Sequence, residues 1–172
     1  HLLSLETRER NVVLDALARR LGAPVVTTYQ ARGLLAPDHP LLVPAPPHEP
    51  EITALIAASD LVVVIGSDLD QMNTMQWRLP FPPRRIAVNV DPLDATKNYA
   101  VDAVVAADAR FIGPFADELP PRQPWAGNMH GLRIAVRTRI AAEEATRDAI
   151  TFLDNTETAL PSDSVVFADM CV

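Results

Sequence analysis

The chain has 172 residues, of which 48% are hydrophobic and 22% charged, and its 15 basic and 22 acidic side chains give a formal charge of -7. This composition excludes a disordered segment, which lacks the apolar residues for a core, and the acidic balance argues against a nucleic acid partner. The longest apolar run, 61–65, is far shorter than the roughly 20 residues of a membrane span, so no membrane partner is expected. A single cysteine cannot form an internal disulfide, which favours a reducing, cytoplasmic setting.

The first elements in chain order are predicted from apolar spacing and proline placement. Apolar residues at helical spacing predict a helix over 6–21, and a β-branched run predicts a short strand over 23–29. Six prolines in the segment 37–50 forbid a regular element there and predict an extended surface loop. The last of these prolines is well placed to begin a helix, which is predicted over 50–58.

Three apolar runs are typical of parallel strands. Residues 61–65 are continuous, β-branched and without alternation, which indicates a strand covered on both faces. The pattern recurs at 85–92 and, more weakly, at 102–108, and a helix is predicted over 110–119. Repeated strand–helix–strand units predict an α/β fold with a doubly wound, mainly parallel, Rossmann-like sheet.

The last third of the chain is predicted to be less regular. Prolines and glycines make 120–132 a linker with turn chemistry. Residues 133–149 fit either a partly alternating strand or a helix, and we favour the helix. A short helix is predicted over 150–160, followed by a turn and a final strand over 164–168.

The candidate ligand site lies at the carboxyl ends of the strands, where doubly wound sheets bind nucleotides. Its residues are Gly66, Ser67 and Asp68 after one strand and Asp91 after the next. Gly66 permits a ligand to approach closely but is equally a turn glycine, and Asp91 can accept hydrogen bonds from a ribose but equally forms a turn with Pro92. Because the chain has only six glycines at scattered positions, neither GxGxxG nor a phosphate-binding loop can be written.

No catalytic residue and no metal ligand is assigned. The four histidines lie in loop or linker sequence without the spacing of a metal site, and we predict that all are surface residues. They are His1, His39, His48 and His130. Cys171 has no histidine context that would make it a nucleophile. Trp77, with Met72 and Met75, is predicted to pack in a core or an interface.

A series of stretches in a specific order and spacing carries a family resemblance. They are Leu21–Thr28, Gly33–Leu35, Pro37–Pro40, Ala58–Ser67, Asn89–Pro92, Lys97–Asn98 and Val101–Ala109. Together they resemble the central domain of the thiamine-diphosphate-dependent enzymes related to acetolactate synthase, pyruvate oxidase and benzoylformate decarboxylase. The stretch Ala159–Asp169 is similar to the start of the third domain in that family, which binds the cofactor's diphosphate.

The resemblance implies a division of the chain and an activity for the complete enzyme. Residues 1–119 would be the central Rossmann-like domain, 120–149 a linker and helix, and 150–172 the truncated start of the C-terminal diphosphate-binding domain. The complete enzyme would use thiamine diphosphate and Mg2+ to act on a 2-oxo acid, as a decarboxylase or an acetolactate-synthase-like carboligase. Its partners would be the remaining domains of the same polypeptide and further copies in a homo-oligomer.

The family's Gly-Asp-Gly cofactor motif and its activating glutamate have no counterpart in this chain. We therefore expect the 172-residue chain alone neither to bind thiamine diphosphate nor to be catalytic. Some members of the family hold FAD or ADP in the central domain. The family usually begins this domain with a strand and a glycine turn ahead of the first helix, whereas His1 to Thr7 is short and has no glycine, which weakens the case for FAD.

The alternative is a stand-alone FAD- or ADP-binding module of the electron-transfer-flavoprotein type, which has a similar sheet. Such a module has no use for a linker, two helices and an orphan strand after residue 119. The thiamine-enzyme interpretation is therefore preferred.

Overall fold

A computed structural model describes residues 7–108, 111–123, 125–161, 163–164 and 166. Its helices and strands are α1 (Thr7–Leu21), α2 (Pro50–Ala57), β1 (Val62–Ile65), β2 (Arg85–Asn89), α3 (Pro92–Thr96), β3 (Ala103–Ala106), α4 (Ile112–Glu118), α5 (Met129–Ala142) and α6 (Glu144–Ala159). A 3-10 turn covers Tyr29–Ala31. The chain divides into two compact units, 1–133 and 134–172.

The described strands form one open parallel sheet in the order β1-β2-β3. Val64 of β1 is level with Ala87 of β2, which is in turn level with Val104 of β3. Parallel neighbours need a crossover connection, and α3 lies within the one between β2 and β3. The predicted α/β class and parallel sheet are confirmed.

Helices cover this sheet on both faces. Successive side chains of a strand point to opposite sides, so neighbouring residues of one strand pack against different helices. On one face Val64 and Ala87 pack with Ala95 of α3. On the other, Ile65 and Val88 pack against a buried cluster from α1 and α4. The double cover explains why β1 has apolar residues at every position, as the continuous run 61–65 predicted.

Strand β3 lies at one edge of the sheet and is exposed at all four of its positions. Val104 is 36% exposed and Val105 47% exposed. An edge strand has a neighbouring strand on one side only, so its residues are less covered than those of a central strand. The exposure of β3 agrees with the weaker apolar pattern of its sequence.

The predicted strand 23–29 is wrong, since only Val25 makes a β-bridge, parallel to Leu42. The Val25 N–H donates to the carbonyl of Leu41 (2.8 Å), and the Val43 N–H donates to the carbonyl of Val25 (2.9 Å). The pairing extends no further than this single bridge. The proline-rich segment has no regular element, as predicted, but it is not all surface, because Val43 is only 4% exposed.

The favoured helix over 133–149 is confirmed as parts of α5 and α6. α5 begins earlier than expected, inside the predicted linker, where Asn128 Oδ1 accepts the Gly131 N–H (2.9 Å) as an N-cap. Glu143 has extended backbone angles and separates the two helices, and the predicted helix 150–160 is the second half of α6. The predicted strand 164–168 lies mostly outside the described residues.

Candidate functional site

The carboxyl ends of β1 and β2 bring the predicted ligand residues to one edge of the sheet. Gly66 follows β1 with a positive φ of 64°, the left-handed conformation that favours glycine. Its N–H donates to the carbonyl of Val88 on β2 (2.8 Å). Because β1 and β2 are parallel neighbours, the segment Gly66–Asp68 and Asp91 emerge side by side. We call this region, Gly66–Asp70 with Val90–Asn98, the carboxyl edge.

Asp68 is held by the chain itself across the carboxyl edge. Its Oδ2 lies 3.2 Å from Lys97 Nζ, and its main-chain carbonyl accepts a hydrogen bond from Asn98 Nδ2 (2.8 Å). The hydrogen bond and charge of Asp68, with a smaller contribution from Asp94, raise the pKa of Lys97 above its ordinary value. Lys97 is the only lysine of the chain. The edge therefore contains one ammonium group among several carboxylates.

The side chains of Asp91 and Ser67 both accept hydrogen bonds from nearby main-chain N–H groups. Asp91 is the N-cap of α3, and its Oδ1 accepts the Leu93 N–H (2.8 Å). The Asp91 N–H donates to Asn89 Oδ1 (3.1 Å), and Ser67 Oγ accepts the Leu69 N–H (3.1 Å). The structural turn role that the sequence left open for Asp91 is thus observed.

Directly after Asp68, the chain turns around Asp70, Asn73 and Thr74. The two carboxylate oxygens of Asp70 accept the main-chain N–H (2.9 Å) and the side-chain amide (2.8 Å) of Asn73. Thr74 is fully buried; its hydroxyl donates to the carbonyl of Asp70 (2.7 Å) and accepts the Trp77 N–H (3.2 Å). Burial acts to raise the pKa of Asp70, but the hydrogen bonds from Asn73 and Met72 outweigh it and lower that pKa.

The same segment contains three consecutive non-glycine residues in the left-handed region. The φ values of Met75, Gln76 and Trp77 are 55°, 58° and 60°. Such a conformation costs about 1–2 kcal/mol per residue and persists only where the surroundings fix it. Here the carbonyl of Thr74 accepts the N–H groups of Arg78 (2.9 Å) and Leu79 (3.0 Å), which closes the turn.

Trp77 and Met72 were predicted to pack in a core or an interface, and the core alternative is wrong for both, while the interface alternative stays a prediction. Trp77 is 49% exposed and Met72 59% exposed, while Met75 is partly buried. Sequence reasoning missed the turn that directly follows Asp70 of the carboxyl edge. The available signal was the pair Asp70 and Asn73, since Asx side chains with this spacing hydrogen-bond the local backbone in turns.

His39 is a second correction, because its side chain is only 6% exposed. Its Nε2 lies 2.7 Å from Asp15 Oδ1, and its Nδ1 accepts the Leu41 N–H (3.2 Å). The proton must therefore be on Nε2, which donates to Asp15. Burial acts to raise the pKa of Asp15, but hydrogen bonds from His39 and Arg19 lower it below its ordinary value. The pair joins α1 to the proline-rich segment.

In the part of the chain that the structure describes, no group of three or more His, Cys, Asp or Glu side chains could hold a metal ion. The carboxyl edge offers acceptors, which suit ribose hydroxyls, and its one ammonium group is paired with Asp68. Among the described helices, none is long and apolar enough to cross a bilayer.

A parallel sheet with helices on both faces and polar groups at its carboxyl edge defines a doubly wound α/β domain. The family model described as "Thiamine pyrophosphate enzyme, central domain" matches residues 7–119. The chain belongs to this family, and the resemblance found in the sequence is confirmed.

Three curated relatives have similar sequences. The chain is 33% identical over 167 residues to the "Probable 2-ketoarginine decarboxylase AruI" of Pseudomonas aeruginosa. This alignment covers 91% of this chain and 29% of that protein. It is 32% identical over 102 residues to the acetolactate synthase large subunit of Corynebacterium glutamicum, covering 58% of this chain and 16% of that protein. It is 28% identical over 107 residues to the acetolactate synthase of Mycobacterium avium, covering 60% and 17%. The chain thus spans less than a third of the length of these relatives.

Proposed function

We propose that these residues are the central part of a thiamine-diphosphate- and Mg2+-dependent enzyme acting on a 2-oxo acid, as a decarboxylase or an acetolactate-synthase-like carboligase. The catalytic residues lie in parts of the polypeptide outside this chain, and the sheet domain supplies scaffold and subunit contacts to a cytoplasmic homo-oligomer. In this proposal residues 1–119 are the central domain, 120–149 a linker and helix, and 150–172 the start of the diphosphate-binding domain.

The observation that carries the proposal is the extent of the match to the decarboxylase. It covers 91% of this chain, whereas the family model ends at residue 119. The similarity therefore continues beyond the sheet domain into α5 and α6. A stand-alone FAD- or ADP-binding module would share the sheet domain alone, so this extent favours the multidomain enzyme.

The test compares the complete polypeptide that contains these residues with the 172-residue chain. We expect the complete polypeptide to release CO2 from, or condense, at least one member of a panel of 2-oxo acids, and only when thiamine diphosphate and Mg2+ are added. Titration calorimetry of the 172-residue chain with the same cofactor and metal should show no binding. Cofactor binding by the short chain would contradict the proposed location of the site, and a complete polypeptide inert toward the whole panel would contradict the activity.

We further propose where a nucleotide would contact the complete enzyme, namely at Gly66, Ser67, Asp68 and Asp91. Two observations support this: the four residues lie together at the carboxyl edge, and carboxylates accept hydrogen bonds from ribose hydroxyls. FAD and ADP are the ligand class, and the 172-residue chain alone is expected to bind neither.

Thermal unfolding of the complete enzyme with FAD, ADP or coenzyme A tests this contact, because a ligand that binds the folded state raises its Tm. Asp91→Ser is the informative variant, since serine still caps α3 but lacks the carboxylate. If the complete enzyme binds such a nucleotide, FAD or ADP should raise the Tm of the parent enzyme and leave the Tm of the variant unchanged. A screen in which none of the three ligands raises the Tm would rule out the contact.

A further inference from the structure

Helix α6 is 16 residues long, and none of its residues is buried. Two of its three large apolar side chains are among the most exposed of the described chain: Phe152 is 67% exposed and Leu153 56% exposed. Leu160, which directly follows the helix, is 40% exposed. Contiguous exposed apolar side chains of this kind mark interaction surfaces.

These side chains form one continuous stripe. At about 100° per residue, seven small or apolar positions of α6 and its C-terminal end fall on a single face of the helix, whereas Ile150 lies outside it. They are Ala145, Ala149, Phe152, Leu153, Thr156, Ala159 and Leu160. We call this set the α6 stripe.

The α6 stripe points away from α5, the neighbouring helix. α6 meets α5 through Ile150, which lines a shallow groove with Ile134, and through Asp154, which pairs with Arg137. Asp154 lies almost opposite the stripe on the helical wheel. The contacts between α5 and α6 therefore leave the stripe uncovered.

Most of the stability of a helix in a protein comes from packing of an apolar face, and the contacts with α5 do not use the stripe. A second copy of the chain is a poor partner. The stripe is bordered by Asp148 and Glu157, and α6 as a whole has four acidic residues against one arginine. Stripe-to-stripe contact would bring these acidic borders together.

We propose that the α6 stripe is the docking surface for an apolar face of a further domain of the same polypeptide. This inference rests on the proposed function. It is supported by the similarity to the decarboxylase, which includes most of this helical region while the chain covers only 29% of that protein. A large part of the relative's length is therefore available to supply the covering domain.

Hydrogen exchange compares α6 in the 172-residue chain and in the complete polypeptide. We expect the amides of 144–159 to exchange about tenfold or more slowly in the complete polypeptide, because burial of the stripe suppresses local opening. Equal exchange in the two proteins would overturn the inference. Slow exchange in an inactive complete polypeptide would uphold it while the proposed activity fails, so the two outcomes are distinguishable.

A variant pair provides a second measurement. Phe152→Asp with Leu153→Asp should leave the Tm of the 172-residue chain unchanged and lower that of the complete polypeptide by several degrees, whereas Thr151→Asp on another face should change neither. An equal loss in both proteins would count against the inference. A 172-residue chain that sediments as a dimer, and becomes a monomer on the double substitution, would identify a second copy as the partner and overturn it.

Discussion

Single buried side chains hold the less regular parts of this domain. Thr74, which has no exposed surface, fixes the turn that precedes three left-handed residues through two hydrogen bonds. His39 performs a comparable task 24 residues away from Asp15, using both of its ring nitrogens. In both cases a polar group is buried without loss because its partners are supplied nearby in space.

Asp70 gives a prediction for the pH dependence of stability. Because its pKa is lowered in the folded state, its carboxylate contributes stability that is present above the ordinary value of 3.8 and is lost as the pH falls through the folded value. Asp70→Ala removes both acceptors for Asn73 and should cost about 1–2 kcal/mol at pH 7, but less at pH 3.

Urea unfolding at pH 7 and pH 3 measures both quantities. Asp60→Ala, at an exposed position, is the matched control for removal of a carboxylate. If the Asp70 variant lost the same unfolding free energy at both pH values, its ionised form would have no special role in the turn.

At the scale of helices and strands, the short helix α2 is stabilised by the one face that it buries. Ile52 has no exposed surface and Ile56 is 7% exposed, while Ala54 and Ala57 on other sides of the helix are exposed. Pro50 begins the helix at a position where its missing N–H has no cost. Local propensity therefore positions α2, and burial of the isoleucines stabilises it.

Ile52→Ala should lower the unfolding free energy by about 2–5 kcal/mol, and Ile52→Val by about 0.5–1.5 kcal/mol, through lost burial and a residual cavity. Leu93→Ala, at a side chain that is 78% exposed, should change it by less than about 0.5 kcal/mol. Chemical denaturation of the three variants decides between these values. Similar losses for Ile52→Ala and Leu93→Ala would show that α2 is not packed as described.

The elements that sequence predicted well are those whose pattern is local. The helical spacing of α1 and the continuous apolar runs of β1 and β2 each identify an element without knowledge of its partners. The predicted strand over 23–29 is wrong because pairing at Val25 depends on a distant segment, which meets it at a single bridge to Leu42. Position in the sheet, and not local pattern, also decided that β3 would be exposed.

The candidate site was predictable only where it follows from the topology of the sheet. Sheet topology alone brings Gly66 and Asp91 to one edge, as parallel strands require. The pair between Asp68 and Lys97 joins residues 29 positions apart, and the left-handed turn at Trp77 follows from hydrogen bonds to a buried threonine. Neither leaves a local signature, because both depend on how the chain is folded around them.

At the scale of the whole molecule, the chain combines two units of different character. The unit 1–133 contains the sheet and both described clusters that cover it, whereas the unit 134–172 contains α6 with no buried residue. Membership of the thiamine pyrophosphate enzyme family explains the first unit as a central domain. The second unit exposes the α6 stripe, which we proposed above as the docking surface for a further domain.

The only lysine of the chain, Lys97, gives this edge of the sheet a chemical handle. An amine-reactive fluorophore has one internal site on the protein, and a lysine-specific endoproteinase has one bond to cleave. Asp68 raises the pKa of that amine, so fewer of its molecules are in the nucleophilic, uncharged form at neutral pH. The rate of labelling therefore reports the fraction of this amine that is uncharged, read at a single atom beside the ends of β1 and β2.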